Sequence, residues 1–460
     1  MNIPNFYLAD LPPEAVLSPP MIADACHTLK RNREKYLAAR PTEEIVKILC
    51  DVAVEWRQPE NKFRRLALEL GPEQTGFSKA TLARGLDEFF ARFTPENFAA
   101  LLAQEFGEAV NVTGGEWRVT GEAAATRHPS RITRHFWSSP ELLVHITAGN
   151  LPNPALMSLT LGLLTRSAQF VKCASGASLL PRLFAHSIYE LDRKLGACIE
   201  LAEWRGGHLE LEAALFAEAD CVTATGSDET LAAIRARLPE KIRFIGHGSR
   251  VSFGFVTREV LREETIAEVV RRAADDVTAW DQNGCLSPHC FYVEERGLVE
   301  SDQFAERLAV ELAQREAGEP RGKISVAESA AIASRRSLYE SLAAHRGDTK
   351  LWASPDSTAW TVVFEHEVRF RLSPLNRFIF VKPVPDVAAV LQGVDELRGK
   401  ISTAGIAAPP EKMAELARQF ARHGVTRICP LGAMQTPPLT WRHDGRPVLG
   451  DWVTWTDFET

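Results

Sequence analysis

Residues 142–174 read LLVHITAGNLPNPALMSLTLGLLTRSAQFVKCA. A short apolar run, Leu142–Ile146, ends in a glycine-bearing loop. A helical pattern follows from Pro154, and a second apolar run, Ala168–Ala174, closes the unit. Short apolar runs alternating with helices form parallel βαβ units with right-handed crossovers. The alternation continues with a helix from about Leu180 to Leu195, a strand CIELAEW (198–204) and a helix LELEAALFAEA (209–219). A strand DCVTATG (220–226), a helix SDETLAAIRARL (227–238) capped by Ser227, and a strand KIRFIGHG (241–248) complete it. A sheet of this kind takes ligands beyond its strand carboxyl ends, so the loops after Ile146, Lys172, Ala224 and Ile245 are expected to face one cleft.

Towards the C-terminus, a helix from Ile266 to about Trp280 leads into DQNGCLSPHCFYVEE (281–295). Helices follow at 301–318 and 325–346, strands at 361–367 and 378–384, and then a further αβ series, residues 387–432. Towards the N-terminus, the chain to about Phe106 reads as helices. Pro41-Thr-Glu-Glu and Thr94-Pro-Glu-Asn are both expected to start one with an N-cap threonine and early carboxylates. Residues 110–135 alternate around a Gly114-Gly115 turn, and LTWRHDGRPVLGDWVTWTDFE (439–459) alternates around Asp444-Gly445. Both predict β-ribbons.

Composition sets the class. The chain has 460 residues, too many for one core, so two or three domains are expected. Its 45% hydrophobic and 25% charged content is that of a globular protein, and a net charge of -7 with no basic run speaks against nucleic acid. The longest apolar stretch, Ala155–Leu164, is too short for a membrane span and is broken by Ser158 and Thr160. No charged-then-apolar segment opens the chain, so a cytoplasmic location is expected. The eight cysteines include no Cys-x-x-Cys and no convincing zinc spacing, so no metal site is expected. Gly-x-Gly-x-x-Gly after a strand, a Walker-type loop, His-Glu-x-x-His and Gly-x-Ser-x-Gly are absent as well.

One thiol differs from the others. Cys285 lies in Asp281-Gln-Asn-Gly-Cys-Leu-Ser-Pro288, a polar loop between a helix and a strand. A thiol exposed there is a strong nucleophile once ionised, and nearby backbone amides stabilise an oxyanion. A buried structural thiol is the alternative from the residue alone.

Four segments in order resemble the aldehyde dehydrogenase superfamily. Asp281-Gln-Asn-Gly-Cys285 resembles its catalytic loop, and Gly149-Asn150-Leu-Pro152 its oxyanion-binding Asn motif. Phe170-Val-Lys172-Cys-Ala-Ser175 resembles its adenosine-ribose segment, and Thr225-Gly226-Ser227-Asp-Glu229 its pyrophosphate turn. A finer resemblance is to the LuxC family of fatty acyl-CoA reductases. It is carried by Trp204-Arg-Gly-Gly, residues 220–230, Gly246-His-Gly-Ser-Arg250, Ala274-Asp275-Asp276-Val, Gln282-Asn-Gly-Cys-Leu-Ser-Pro288, Ser373-Pro-Leu-Asn-Arg377 and Trp441-Arg-His-Asp-Gly445. The resemblance is strong over 145–294, patchy over 377–459 and uninformative before about Val110.

The resemblance implies an aldehyde-dehydrogenase-like α/β fold of two α/β domains with β-ribbon oligomerisation elements. Residues 1–109 would be the helical part of a cofactor-binding domain, 110–137 a ribbon, 138–250 the cofactor-binding α/β domain, 251–432 the catalytic domain and 433–460 a C-terminal ribbon. It implies catalytic roles for Cys285 and Asn150, and cofactor contacts from Lys172, Ser175, Thr225, Gly226, Ser227 and Gly248. The base that hydrolyses the acyl-enzyme in ordinary aldehyde dehydrogenases is a Glu, and Gly246-His247-Gly248-Ser249-Arg250 has no carboxylate there. Loss of that base protects an acyl-cysteine from water, as thioester reduction requires. His247 is either a substitute base or a loop histidine held by its neighbours. Ser175 replaces a Glu that would repel a 2′-phosphate, which favours NADPH with Lys172 as charge partner. The expected reaction is reduction of a fatty acyl thioester to an aldehyde. The donor would be fatty acyl-CoA, an acylated carrier or an acyl-protein synthetase, and the chain would act as a homo-oligomer. The alternatives are an aldehyde dehydrogenase working oxidatively and a non-catalytic acyl-carrier-binding relative.

Overall fold

The computed structural model describes residues 4–12, 14–107 and 133–459. The chain forms two compact units, one of Met1–Leu70, Leu86–Gly248 and Pro438–Thr460, the other of Gly71–Gly85 and Ser249–Pro437. The ribbon turn expected at Gly114-Gly115 lies outside the described residues. None of the helices among the described residues is long and apolar enough to cross a membrane.

The N-terminal part is helical, with Pro19–Tyr36, Thr42–Trp56, Lys62–Thr75, Lys79–Phe90 and Pro95–Phe106. Thr94 caps the last of these by accepting the Asn97 N–H at 3.3 Å. Thr42 does not cap, contrary to expectation. It is buried inside the helix, and its hydroxyl accepts from Arg166 Nη2 at 2.7 Å.

The first unit is built on β2 (Leu142–Ile146), β3 (Ala168–Cys173), β4 (Ile199–Glu203), β5 (Cys221–Thr225) and β6 (Arg243–His247), which follow β1 (Thr133–Ser138). They form a parallel sheet in the order β4-β3-β2-β5-β6. Leu142, Val144, Phe170 and Val222 pack with Ile22 and Leu29 of the first helix and with Leu211 and Leu215 into one core. The helix expected from Leu180 to Leu195 is broken, ending at Leu191 and restarting at Arg193. Asp192 takes an extended backbone there and caps the second piece through the Leu195 N–H at 2.8 Å.

The second unit holds β7 (Val251–Val256), β8 (Pro288–Glu294), β9 (Thr349–Ala353), β10 (Thr361–Glu365), β11 (Phe378–Val384), β12 (Ile401–Ala407) and β13 (Arg427–Pro430). Their order is β13-β12-β7-β8-β11-β10-β9, parallel except for the edge strand β9. Sequence reading finds neither β7 nor β9. The first follows the Gly246–Arg250 loop directly, and the second is a half-polar edge. The helix expected to reach Trp280 stops at Thr278.

The strand β14 (Thr454–Glu459) pairs antiparallel with β1, with Trp137 opposite Trp455. The ribbon near the C-terminus is therefore not a local hairpin about Asp444-Gly445. Those residues form a short 3-10 turn, and Pro437, Pro438 and Pro447 remove the amide donors that a returning strand needs.

Candidate active site

The Cys285 turn joins the helix Ile266–Thr278 to β8 through three consecutive left-handed residues, Trp280, Asp281 and Gln282, with φ of 51°, 48° and 66°. A second such run, Leu375, Asn376 and Arg377 with φ of 62°, 55° and 65°, precedes β11. Each non-glycine residue in this region costs about 1–2 kcal/mol, so both runs persist only because their surroundings over-determine them.

Cross-bonds between the two runs supply that determination. Arg377, fully buried, places Nε 2.8 Å and Nη2 2.7 Å from Asp281 Oδ1. Asp281 Oδ2 accepts the Gly322 N–H at 3.0 Å. Gln282, also fully buried, donates Nε2 to Pro288 O at 2.7 Å and to Phe378 O at 2.9 Å, joining the starts of β8 and β11. Asn283 Nδ2 donates to Asp281 O at 3.1 Å and to Asn376 Oδ1 at 3.2 Å.

The next residues are held from other directions. Gly284 N–H meets Ser287 Oγ at 3.3 Å, and Ser287 Oγ also accepts from Gln435 Nε2. Cys285 O accepts from Ser252 Oγ at 2.8 Å, and Ser252 Oγ in turn accepts the Thr403 N–H at 3.1 Å. Cys285 thus presents an exposed side chain on a turn whose neighbouring groups are fixed one by one. Among the eight cysteines only Cys285 is exposed. Burial pushes the thiols of Cys26, Cys173, Cys198, Cys221, Cys290 and Cys429 up to about 12, and that of half-buried Cys50 to about 11. Those seven stay protonated and inert at neutral pH.

A further clamp holds the segment after β13. Fully buried Asp276 accepts the Gly432 and Met434 N–H groups at 2.6 and 2.9 Å, while Arg427 donates to Met434 O and Ala433 O at 2.6 and 2.7 Å. Burial raises the Asp276 carboxyl to about 7 against these hydrogen bonds. Cys285 is among the groups whose charge favours the Arg427 guanidinium, although burial as the larger effect depresses it.

In the first unit, the residues expected to hold a cofactor stand at or just beyond strand carboxyl ends, as the crevice rule requires. Lys172 lies in β3, buried, 5.8 Å from the Trp204 ring, and Ser175 follows exposed. Burial depresses the Lys172 ammonium, partly offset by Glu212 and Glu203. Thr225 ends β5, and the Gly226 N–H bonds His247 O at 3.2 Å. Ser227 caps the helix Asp228–Arg235 through the Thr230 N–H at 3.2 Å. Gly248 follows β6, and a Cβ there would stand 2.3 Å from Asp228 Oδ1. Asn150 is exposed in the loop between β2 and the helix Asn153–Leu164. These residues gather at the carboxyl ends of β2, β3, β5 and β6.

One residue was not read from the sequence. Glu203, at the end of β4, accepts the Gly176 N–H at 2.6 Å, so a carboxylate stands beside the loop from which Ser175 had removed one. Its signal was adjacency to Trp204-Arg-Gly-Gly. His247 Nδ1 lies 3.0 Å from the acceptor Asp444 Oδ2, and its ring stacks on His443 at 4.0 Å with 5° between planes. Both contacts fix the orientation of its ring. His247, His443 and Asp444 place possible ligand atoms within 4.8 Å of one another. Two parallel stacked imidazoles, however, direct their in-plane lone pairs along separate planes and not at one ion.

Comparison with known proteins gives the family and the fold. Residues 37–455 match the family model described as Acyl-CoA reductase (LuxC). The long-chain acyl-protein thioester reductase of Aliivibrio fischeri is 23% identical over 418 residues, 87% of this chain and 79% of the relative. Long-chain acyl-protein thioester reductase 2 of Photobacterium leiognathi is 24% identical over 321 residues, 69% of this chain and 63% of the relative, so the match spans less than two thirds of that protein. Among solved structures, the NAD-dependent benzaldehyde dehydrogenase from Corynebacterium glutamicum aligns with a TM-score of 0.68 at 13% identity, covering 97% of this chain and 91% of that one. The putative aldehyde dehydrogenase PutA from Anabaena variabilis aligns with a TM-score of 0.69 at 15% identity, covering 97% and 94%. The fold is that of the aldehyde dehydrogenases, and with a family match across nearly the whole sequence the chain belongs to the acyl-CoA reductase (LuxC) family.

Proposed function

We propose that this protein reduces long-chain fatty acyl thioesters to aldehydes through an acyl group carried on Cys285. The observation that carries the reading is the single exposed thiol on a turn fixed by Asp281, Gln282, Asn283, Ser252 and Ser287. A nucleophile held in one geometry spends little free energy on orientation when the substrate arrives. The Cys285 thiolate attacks the thioester carbonyl, the carbonyl carbon bonds to sulfur, and the carrier thiolate leaves. The Cys285 N–H and the Asn150 amide are the donors we assign to the intermediate oxyanion.

A nicotinamide cofactor, when bound, supplies the hydride that turns the acyl-cysteine into aldehyde and frees the thiol. Lys172, Thr225, Gly226, Ser227 and Gly248 are the residues we assign to hold it. NADPH is the proposed form, because Ser175 carries no charge and Lys172 is a cation at the same strand end. The acyl donor is proposed to be fatty acyl-CoA or the acylated enzyme of a partner acyl-protein synthetase, with the chain acting as a homo-oligomer in the cytoplasm.

A second reading is hydrolysis of the acyl-enzyme, the oxidative aldehyde dehydrogenase outcome. One contact favours it, the hydrogen bond of His247 to Asp444, which orients an imidazole as a base would be oriented.

The test incubates the protein with a long-chain acyl-CoA and NADPH and follows aldehyde, free fatty acid and NADPH together. Aldehyde from the wild type and none from Cys285→Ala is expected. Free fatty acid without NADPH consumption, lost in His247→Gln, would establish the second reading instead. If intact-protein mass spectrometry detects no acyl adduct on Cys285, both fail.

A further inference from the structure

The two runs of left-handed residues meet through one buried ion pair, and nothing in the reaction itself requires it. Arg377 Nε and Nη2 lie 2.8 and 2.7 Å from Asp281 Oδ1, while Arg377 Nη1 reaches Glu316 Oε2 and Glu319 O, each at 2.9 Å. Asp281 is the middle residue of one run and Arg377 the last of the other. Three residues separate Asp281 from Cys285, and the bonds of Gln282 and Asn283 to Phe378 O and Asn376 Oδ1 link that interval to the same partner segment.

We propose that Arg377, acting through Asp281, is a positioning residue for Cys285. The pair sets the direction in which the turn presents the thiol, beyond any share it has in stability. The inference rests on the reading of Cys285 as the acyl-accepting nucleophile. If the pair served stability alone, well-packed apolar side chains would do as well, since a buried ion pair is often no more stabilising than they are. What apolar groups cannot supply is direction. The planar guanidinium donates Nε to the Asp281 carboxylate and Nη1 to Glu316 and Glu319 at a different helix end, so the angle of the 280–282 run is tied to the frame of the unit. Lysine keeps the charge and loses the fork, which makes it the informative replacement.

The experiment uses the full chain as wild type, Arg377→Lys, Asp281→Asn and, as control, Arg336→Lys. Arg336 is a buried arginine of the same unit whose hydrogen bonds go to Thr361 Oγ1, Trp360 O, Ser354 and Ser357 and to none of residues 280–287. All proteins are held well below their melting temperatures. Transfer of the acyl group from a long-chain acyl-CoA to Cys285 is timed by intact-protein mass spectrometry, and the pH profile of Cys285 alkylation by iodoacetamide is recorded alongside.

Acylation slower by at least about tenfold in Arg377→Lys and Asp281→Asn is expected, with the concentration dependence on acyl-CoA changed less than about twofold. Arg336→Lys should lower the melting temperature without slowing acylation. Wild-type acylation rates in Arg377→Lys, or equal slowing by Arg336→Lys, would overturn the proposal. Should the wild type itself take no acyl group, the substrate reading has failed and alkylation decides. A pH midpoint displaced in Arg377→Lys but not in Arg336→Lys upholds the positioning role, and an unmoved midpoint overturns it.

Discussion

Glu203 and Gly85 show how single residues set local outcomes. The Glu203 carboxylate bonds the Gly176 N–H beside Ser175, so negative charge remains at the loop where the sequence suggests its removal. Neutralising it in Glu203→Gln should raise the ratio of kcat/KM for NADPH over NADH by about two- to fivefold, the scale of one partly exposed charge interaction. Steady-state kinetics with both cofactors measures it, and an unchanged or lower ratio removes Glu203 from cofactor choice. Gly85 is small for a packing reason. A Cβ there would lie 2.0 Å from Trp280 Cζ2, and Trp280 opens the left-handed run that leads to Cys285. Gly85→Ala should therefore cost about 1–3 kcal/mol in urea unfolding, despite the gain in helix propensity. A more stable variant would show that Trp280 yields freely.

The segment after β13 shows an element held by one carboxyl group. Asp276 receives two backbone N–H groups from it, and burial raises the carboxyl to about 7. A raised folded-state value means that the protonated form is favoured by folding. Its contribution is full below the unfolded value near 3.8 and is lost as pH rises through 7. In Asp276→Asn the titration disappears, and the amide NH₂ meets one of the two N–H donors. The stability difference between wild type and Asp276→Asn should thus shrink from pH 5 to pH 8, by up to about 1.4 kcal/mol per pH unit. Urea unfolding at four pH values checks this, and a difference independent of pH would place the Asp276 carboxyl outside this range.

At the scale of the whole molecule, each unit keeps a neutral imidazole buried in a strand of its sheet. His145 in β2 lies between Thr223 Oγ1 at 2.6 Å and Gln169 Oε1 at 3.1 Å, and His289 in β8 accepts the Ser373 N–H at 3.1 Å. Burial lowers both to about 4. A depressed value contributes stability above the unfolded value of about 6.5, lost as pH falls through 4. His145→Gln and His289→Gln should each remove part of the acid sensitivity between pH 6.5 and 4, at most about 3 kcal/mol apiece. Thermal unfolding across that window reads it, and an acid slope equal to wild type would exclude the histidine concerned.

How much of this was legible in the sequence depends on how local the determining forces are. The alternation from Leu142 to Gly248 is a matter of apolar periodicity, so the five strands of the first sheet were readable. The exposure of Cys285 was not readable from its polar loop alone, which leaves a buried thiol open; the resemblance of Asp281-Gln-Asn-Gly-Cys to a catalytic loop pointed to it. Tertiary structure alone decided that β14 pairs with β1, more than 300 residues earlier, and that Asp444-Gly445 turns without making a hairpin. It also decided that Asp281 and Arg377, separated by 96 residues, share a buried bond. Propensity rules argue against three left-handed non-glycine residues in a row, and only contacts made by distant segments repay that local cost.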